Sequence, residues 1–310
     1  MRNLEYNSVN SLAGESQFIA ELKKISLVLC KNNASVLLKG EKGTGKRQFA
    51  FLVHLQGKNN PEDFFEHNCR VYSEHETDRF FELVSKLPSF DFLGKTIFIS
   101  NVDNLSAVLQ EKLLILLKSI REERRNLRFI FSTEVNIEDK IEQGLFSNDL
   151  YYLISSVPVN MIPLRQRKDD ILPIANYYFA KLSTVSGVGF KGFSEEALEV
   201  MKDYFWPGNI AELKNAVERA FIVGEPPYIK TSDMALGWQN GSNSGSANGL
   251  LGAAEAVQDK TLKSAVNAFK KAYVTKILEE NNWNQTKTAK VLGIQRTYVI
   301  RLIDELQIRK

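Results

Sequence analysis

The run GEKGTGK at residues 40–46 constrains the chain more than any other stretch, because it fits the spacing G-x-x-x-x-G-K and joins two segments of opposite character. Before it, ASVLLK at 34–39 is a short apolar run of strand type; after it, residues 47–55 carry apolar side chains at helical spacing. A glycine-rich turn from strand into helix can aim backbone N–H groups at an anion, and the helix N-terminus adds positive potential, so the segment predicts a phosphate cradle. Gly40, Gly43 and Gly45 supply the turn and Lys46 the charge, with Thr44 and Arg47 completing the candidate nucleotide-binding set. The residue after the lysine is usually a serine or threonine whose hydroxyl reaches a magnesium ion; Arg47 puts a cation near where a cation should sit. A loop that keeps its shape without holding a ligand is the alternative.

At 310 residues the chain is long enough for about two domains with a real core, and 44% hydrophobic and 25% charged residues are ordinary for a globular protein. No apolar run approaches a membrane span and the first residues lack a basic-then-apolar leader, which predicts a cytoplasmic protein without a membrane partner. Cys30 and Cys69 form no disulfide framework and are expected as buried free thiols. Strand-like runs recur at 96–99, 127–132 and 157–162, with an amphipathic helix at 106–119, and such alternation predicts a parallel sheet covered on both faces. From 168 to 223 the pattern is helical only, interrupted by WPGN at 206–209. A stretch rich in Gly, Ser and Asn at 237–252 reads as a flexible linker.

Charge divides the chain at the same place. Residues 260–310 hold eleven lysines and arginines against four acids, a balance of +7, which leaves −4 for the remainder of a chain whose total is +3. A basic module on a mildly acidic body is the footprint of a nucleic-acid binder, with a solvated helical face as the bland alternative.

The second site that nucleotide hydrolysis needs is a carboxylate at the end of a neighbouring strand to hold the metal, with a group to orient water. The strand at 96–99 runs into Ser100 and Asn101, which bring no negative charge. Asp103 is the only carboxylate nearby and is expected to cap the following turn or helix.

Four blocks, GEKGTGKRQFAFLVH, LQEKLLILLKS, FSNDLYYLISSVPVNMIPLRQRKDDI and WPGNIAELKNAVERA, in this order resemble the central AAA+ domain of the sigma-54-dependent bacterial enhancer-binding proteins, the NtrC-type activators, joined to a Fis-type DNA-binding tail. The resemblance spans nearly the whole chain and implies an α/β AAA+ subdomain at 1–165, a helical lid at 166–236, a linker at 237–259 and a helix-turn-helix domain at 260–310. No receiver precedes the AAA+ part, so control by phosphorylation in cis is not expected. The family's Walker B Asp-Glu pair falls on Ser100 and Asn101, its glutamate after the Walker A lysine on Arg47, and its third-strand sensor asparagine on Glu134, after a matching Thr133. Its intersubunit arginines fall on Ser147 and Leu153, its second sensor arginine on Ala211, and nothing like its GAFTGA loop lies between Asn68 and Thr96. Each such loss removes roughly 10²–10⁵ in rate, so the resemblance implies a scaffold able to hold ATP, with weak or no use of magnesium, no catalytic residues and no hydrolysis. Asp149, Arg165 and Arg167 match family positions and are expected in ion pairs and subunit contacts.

The tail resembles the Fis-type helix-turn-helix. A helix at 261–280 would carry a stripe of Leu262, Ala265, Val266, Phe269, Tyr273, Ile277 and Leu278, through which family tails dimerise; residues 284–292 are the motif's first helix, Gly293 its turn and 295–306 its recognition helix. Gln295, Arg296, Thr297 and Tyr298 are the candidates for base and nearby phosphate contacts, and Thr286, Lys287 and Arg301 for the backbone of double-stranded DNA. The resemblance therefore implies a DNA-binding regulator, a homodimer through the tail and mixed assembly with a complete homologue. Two other readings stay open: an active ATPase at sigma-54 promoters that recruits Asp103 or Glu134, and an interaction protein that never touches DNA. His54, His67 and His75 lack metal-ligand spacing, and Trp206, Trp238 and Trp283 are expected as core anchors.

Overall fold

The computed structural model describes residues 12–57, 59–86, 94–123, 127–186, 189–234 and 236, together with 271, 274, 275, 277, 278, 283–292, 300, 301 and 303. These belong to two compact units, 1–236 and 237–310.

The first unit is built on five parallel strands, β1 (Val36–Lys39), β2 (Phe64–Asn68), β3 (Thr96–Ser100), β4 (Arg128–Thr133) and β5 (Val157–Asn160), in the spatial order β2-β3-β4-β1-β5. Side chains alternate across a strand, and here the alternation sorts them into two cores. Leu37, Ile97, Ile99, Phe129 and Phe131 face one side; Val36, Leu38, Phe98, Ile130 and Val159 face the other. The first face is covered by α3 (Glu74–Lys86), α4 (Ala107–Glu122) and α6 (Asn148–Ile154), preceded by the short α5 (Ile137–Glu142); the second is covered by α1 (Gln17–Leu29) and α2 (Lys46–Gln56). Helices on both faces explain why the central strands read as unbroken apolar runs.

One element is added here and one expectation is corrected. Residues 64–68 form a strand that the sequence pattern did not reveal, because FFEHN sits at the sheet edge with Phe65 and Glu66 outside the core. The strand expected at 157–162 stops at Asn160, since its register against β1 ends where Lys39 does.

Behind the sheet lies a subdomain of α7 (Ile171–Ser186), α8 (Glu195–Asp203), α9 (Asn209–Val223) and α10 (Thr231–Met234) with a core of its own. The helical-only expectation fails at one point: β6 (Gly192–Phe193) pairs in parallel with β7 (Tyr228–Ile229), a two-residue ladder too short to leave a period in sequence. Trp206 is fully buried in this core, with its indole N–H donating to Met201 O at 2.8 Å, and its positive φ of 50° turns the chain toward the start of α9. Gly208 N–H is taken up by Glu212 Oε2 at 2.7 Å, and Tyr204 holds the other oxygen of the same carboxylate.

Candidate nucleotide site and DNA-binding tail

The loop from β1 into α2 takes the form its glycines permit. Gly40, Gly43 and Gly45 all have positive φ, of 153°, 79° and 99°. Gly43 has a second constraint, because a Cβ there would lie 2.2 Å from Gly208 O of the WPGN turn. Only glycine allows the loop and this turn to meet.

That meeting is hydrogen-bonded residue by residue. Three consecutive loop carbonyls accept from the lid side: Lys42 O from Asn209 Nδ2 at 2.9 Å, Gly43 O from Ile210 N–H at 3.0 Å, and Thr44 O from Arg167 Nη2 at 2.8 Å. Asn209 Oδ1 also accepts Leu164 N–H at 2.8 Å, and Arg165 grips Glu41 through two bonds of 2.7 and 2.5 Å. Arg165 holds the Glu41 carboxyl below its ordinary range, and burial pushes Arg167 down to about 10. Loop carbonyls turned toward the lid leave the loop's N–H side for an anion, the polarity a phosphate cradle requires. Arg165 and Arg167 thus both serve the loop, Arg165 through an ion pair and Arg167 through a carbonyl bond; Asp149 is exposed on α6. Asn209 was legible only as part of a turn, because its three partners lie far from it in sequence.

Lys46 opens α2 and is nearly buried, with Nζ donating to Gly40 O at 2.6 Å and Glu41 O at 2.8 Å. Burial drives its ammonium down to about 8. It remains charged at neutral pH, a buried cation beside the loop. The cavity it faces has a volume of about 610 Å³, and Gly43, Gly45, Lys46 and Arg47 line one wall while Ser100, Asn101, Ser132 and Glu134 line the other.

The opposite wall is built from paired groups. Ser100 Oγ donates to His67 O at 3.3 Å, and Asn101, with φ of 57°, donates from Nδ2 to Asn68 Oδ1 at 3.0 Å. Glu66 accepts two bonds from Arg47, both 2.6 Å, and Glu134 accepts one from Arg70 at 2.6 Å. Asp103 is buried and accepts from Thr133 Oγ1 at 2.9 Å, with Lys140 Nζ 2.6 Å from its carbonyl and 3.5 Å from its carboxylate. This corrects the expected capping role: Ser106 stands at the N-terminus of α4, and Asp103 instead ties the end of β3 to β4 and α5. Ser147, where the resemblance would put the first intersubunit arginine, caps α6 through its hydroxyl at Leu150 N–H, and Leu153 packs against the core. Ala211 lies against the loop, 3.2 Å from where a Gly43 Cβ would be.

A magnesium ion asks for an octahedron of oxygens, usually with one or two carboxylates. These residues do not fit it. The end of β3 presents Ser100 and Asn101, which carry no negative charge, and the residue after Lys46 is an arginine rather than a hydroxyl ligand. His54 bridges Thr96 Oγ1 and Asn60 O, while His67 stacks between Tyr72 and Phe80. Both are core histidines whose burial keeps them below the usual range. Cys69 is a buried thiol pushed up to about 12, whereas Cys30 is only half-buried, contrary to expectation.

In the second unit, α11 (Gln285–Leu292) coincides with the motif's expected first helix. Asn284 Oδ1 caps it by accepting Thr286 N–H at 3.1 Å and Lys287 N–H at 3.2 Å. Thr286 and Lys287 are exposed while Thr288 and Ala289 are buried, so the candidate phosphate contacts stand on the open face. Arg301 is helical and exposed. Of the expected apolar stripe, Ile277 and Leu278 are buried, joined by Val274, which the stripe does not include. Gln295, Arg296, Thr297, Tyr298, Gly293, Trp238, Leu262, Ala265, Val266, Phe269 and Tyr273 lie outside the described residues. No helix among the described residues is long and apolar enough to cross a membrane.

With that geometry in place, the comparisons with known proteins agree along the length of the chain. Residues 13–164 match the sigma-54 interaction domain, 165–249 the AAA+ ATPase lid domain, and 267–303 the bacterial regulatory proteins of the Fis family. The chain is 29% identical over 306 residues to the nitrogen fixation protein AnfA of Azotobacter vinelandii, covering 93% of this chain and 56% of that protein. It is 28% identical over 305 residues to the transcriptional regulatory protein ZraR of Klebsiella oxytoca, covering 92% and 66%. The chain therefore spans between about half and two thirds of the length of these curated relatives. In fold it is similar to NtrX from Brucella abortus in complex with ADP, at 21% identity and a TM-score of 0.68 over 99% of this chain and 71% of that one. A phosphate loop on a parallel sheet, a lid bonded to that loop and a capped Fis-type helix, each matched in its own place, make the chain a member of the sigma-54 interaction-domain family, with an AAA+ lid and a Fis-type helix-turn-helix domain.

Proposed function

We propose that the chain is a DNA-binding transcriptional regulator whose AAA+ domain holds ATP or ADP without hydrolysing it, makes weak or no use of magnesium, and does not grip sigma-54 through a GAFTGA loop. The observation that carries this reading is the end of β3, where Ser100 and Asn101 hydrogen-bond to His67 O and Asn68 Oδ1 and supply no carboxylate. The Gly40–Lys46 loop, its lid bonds and the cavity beside it support retention of the nucleotide. In this reading the tail binds double-stranded DNA in the cytoplasm as a homodimer through the C-terminal domain, and assembles with complete homologues. It represses, competes for sites, or modulates those homologues without remodelling the polymerase itself.

The competing reading, an active ATPase at sigma-54 promoters, needs Asp103 or Glu134 as a substitute acid. Both are disfavoured by their partners, since Asp103 is bound to Thr133 and Lys140 and Glu134 to Arg70. The deciding experiment measures binding of a labelled ATP analogue by the purified full chain alongside phosphate release in the same samples. Binding without release is expected; steady turnover above a Lys46→Ala control overturns the proposal. For the tail, Arg296→Ala with Arg301→Ala should weaken DNA binding and lower the slope of log affinity against log salt by about 1 for each phosphate that is no longer neutralised. Unchanged affinity in that variant favours an interaction protein that does not touch DNA.

A further inference from the structure

The arginine beside the phosphate loop stands where its charge can do a metal's work. Arg47 is the second residue of α2, directly after Lys46, at the helix end where backbone N–H groups and the helix dipole favour an anion. Arg47 lines the same cavity as Lys46, Ser100 and Asn101, and its guanidinium is fastened to Glu66 of β2 through Nε and Nη2, both at 2.6 Å. The two side chains are 44% and 34% exposed, so the pair is solvated and its geometry can be exchanged at little cost. A polyphosphate offers a guanidinium the same forked acceptor as a carboxylate, with more charge. Glu66, by contrast, has nothing to offer a phosphate except repulsion.

We propose that Arg47 is the built-in counter-cation of the bound polyphosphate: a nucleoside di- or triphosphate binds without a divalent ion, and Arg47 leaves Glu66 for the phosphate oxygens as it does so. This inference rests on the nucleotide-holding reading above and adds to it the source of the neutralising charge and the latch that binding must open. The misfit of magnesium with this wall and the position of Arg47 become one fact, since the residue that would crowd a metal also replaces its charge.

The experiment is a titration of the full-length chain with fluorescent ADP and ATP analogues in excess magnesium and in excess EDTA. The native chain is expected to bind with affinities within about twofold of each other in the two conditions. Charge-assisted pairing to phosphate sets the expected size of the variants: Arg47→Ala weakens binding in EDTA by about tenfold or more, while Glu66→Gln, which removes the latch and its repulsion, tightens it by about threefold to tenfold. Because Arg47 and Glu66 are partly exposed, thermal melts of both variants should stay close to the native curve, which separates impaired binding from impaired folding. A native affinity that collapses at least tenfold in EDTA, or an Arg47→Ala affinity equal to the native one, overturns the counter-cation role while leaving nucleotide binding intact. Absence of binding in both conditions overturns the nucleotide-holding reading and this inference with it.

Discussion

The two walls of the Lys46 cavity are made in different ways. On the loop wall, Lys42 O, Gly43 O and Thr44 O are each bonded to a lid donor, and two of those three donors, Asn209 Nδ2 and Arg167 Nη2, belong to buried residues. On the strand-end wall, the carboxylates Glu66 and Glu134 are neutralised by Arg47 and Arg70 through partly exposed ion pairs. Buried hydrogen bonds hold shape, because a broken one leaves an unsatisfied polar group. Exposed ion pairs contribute little to stability and are readily exchanged. The contrast shows where the fold keeps a rigid form and where it keeps only a charge balance.

Substitutions should reveal that contrast in order of size. Trp206→Ala, which empties the centre of the lid core and removes the turn that feeds α9, is expected to cost about 3–5 kcal/mol in thermal or denaturant unfolding. A loss below about 1 kcal/mol would mean that the lid core does not support the loop wall. Asn209→Gly keeps the left-handed backbone that Asn209 adopts at φ 52° but deletes its bonds to Leu164 N–H and Lys42 O. About 2–3 kcal/mol of stability should go with them, along with nucleotide affinity.

Lys46→Met tests the opposite sign. The native ammonium is depressed from 10.5 to about 8, so the unfolded chain binds more protons between those values and native stability rises with pH across that window. Below about pH 8 the full cost of burying the charge is present, and at pH 7 the methionine variant should be more stable by about 1–3 kcal/mol, an advantage that fades as pH approaches 10.5. A less stable variant at pH 7 would place Lys46 on the structural side of the comparison. The smallest effect is expected from Arg70→Ala, whose partner Glu134 lies on the strand-end wall: about 1 kcal/mol or less by unfolding, and less again at high salt. A loss as large as that of Asn209→Gly would erase the distinction between the walls.

Much of this fold is legible from local pattern. The strands β1, β3 and β4 announce themselves because they are apolar on both faces, and the loop because its glycines and lysine are adjacent in the chain. What stays hidden is weak in period or small. The edge strand Phe64–Asn68 has its outer residues in solvent, and β6 and β7 are two residues each. Asp103 reads as a cap because carboxylates often cap helices, yet besides the adjacent Asn104 its partners are Thr133 and Lys140, thirty and thirty-seven residues on. A single sequence offers no sign of that choice.

Neighbouring residues were enough to specify the phosphate loop, the alternation of strands and helices that builds a parallel α/β layering, and the absence of acids at positions 100 and 101. All of these follow from groups close together in the chain, where spacing and side-chain chemistry are directly readable. Long-range packing settled which charges face the cavity already paired and which residues fix the loop. Arg47 meets Glu66 across 19 residues, Arg70 meets Glu134 across 64, and Asn209 reaches Lys42 across 167. Such pairings exist only once β2, β3 and β4 are in register and the WPGN turn has been brought against Gly43, because hydrogen bonds and ion pairs act over a few ångströms and the chain must first be folded to supply them.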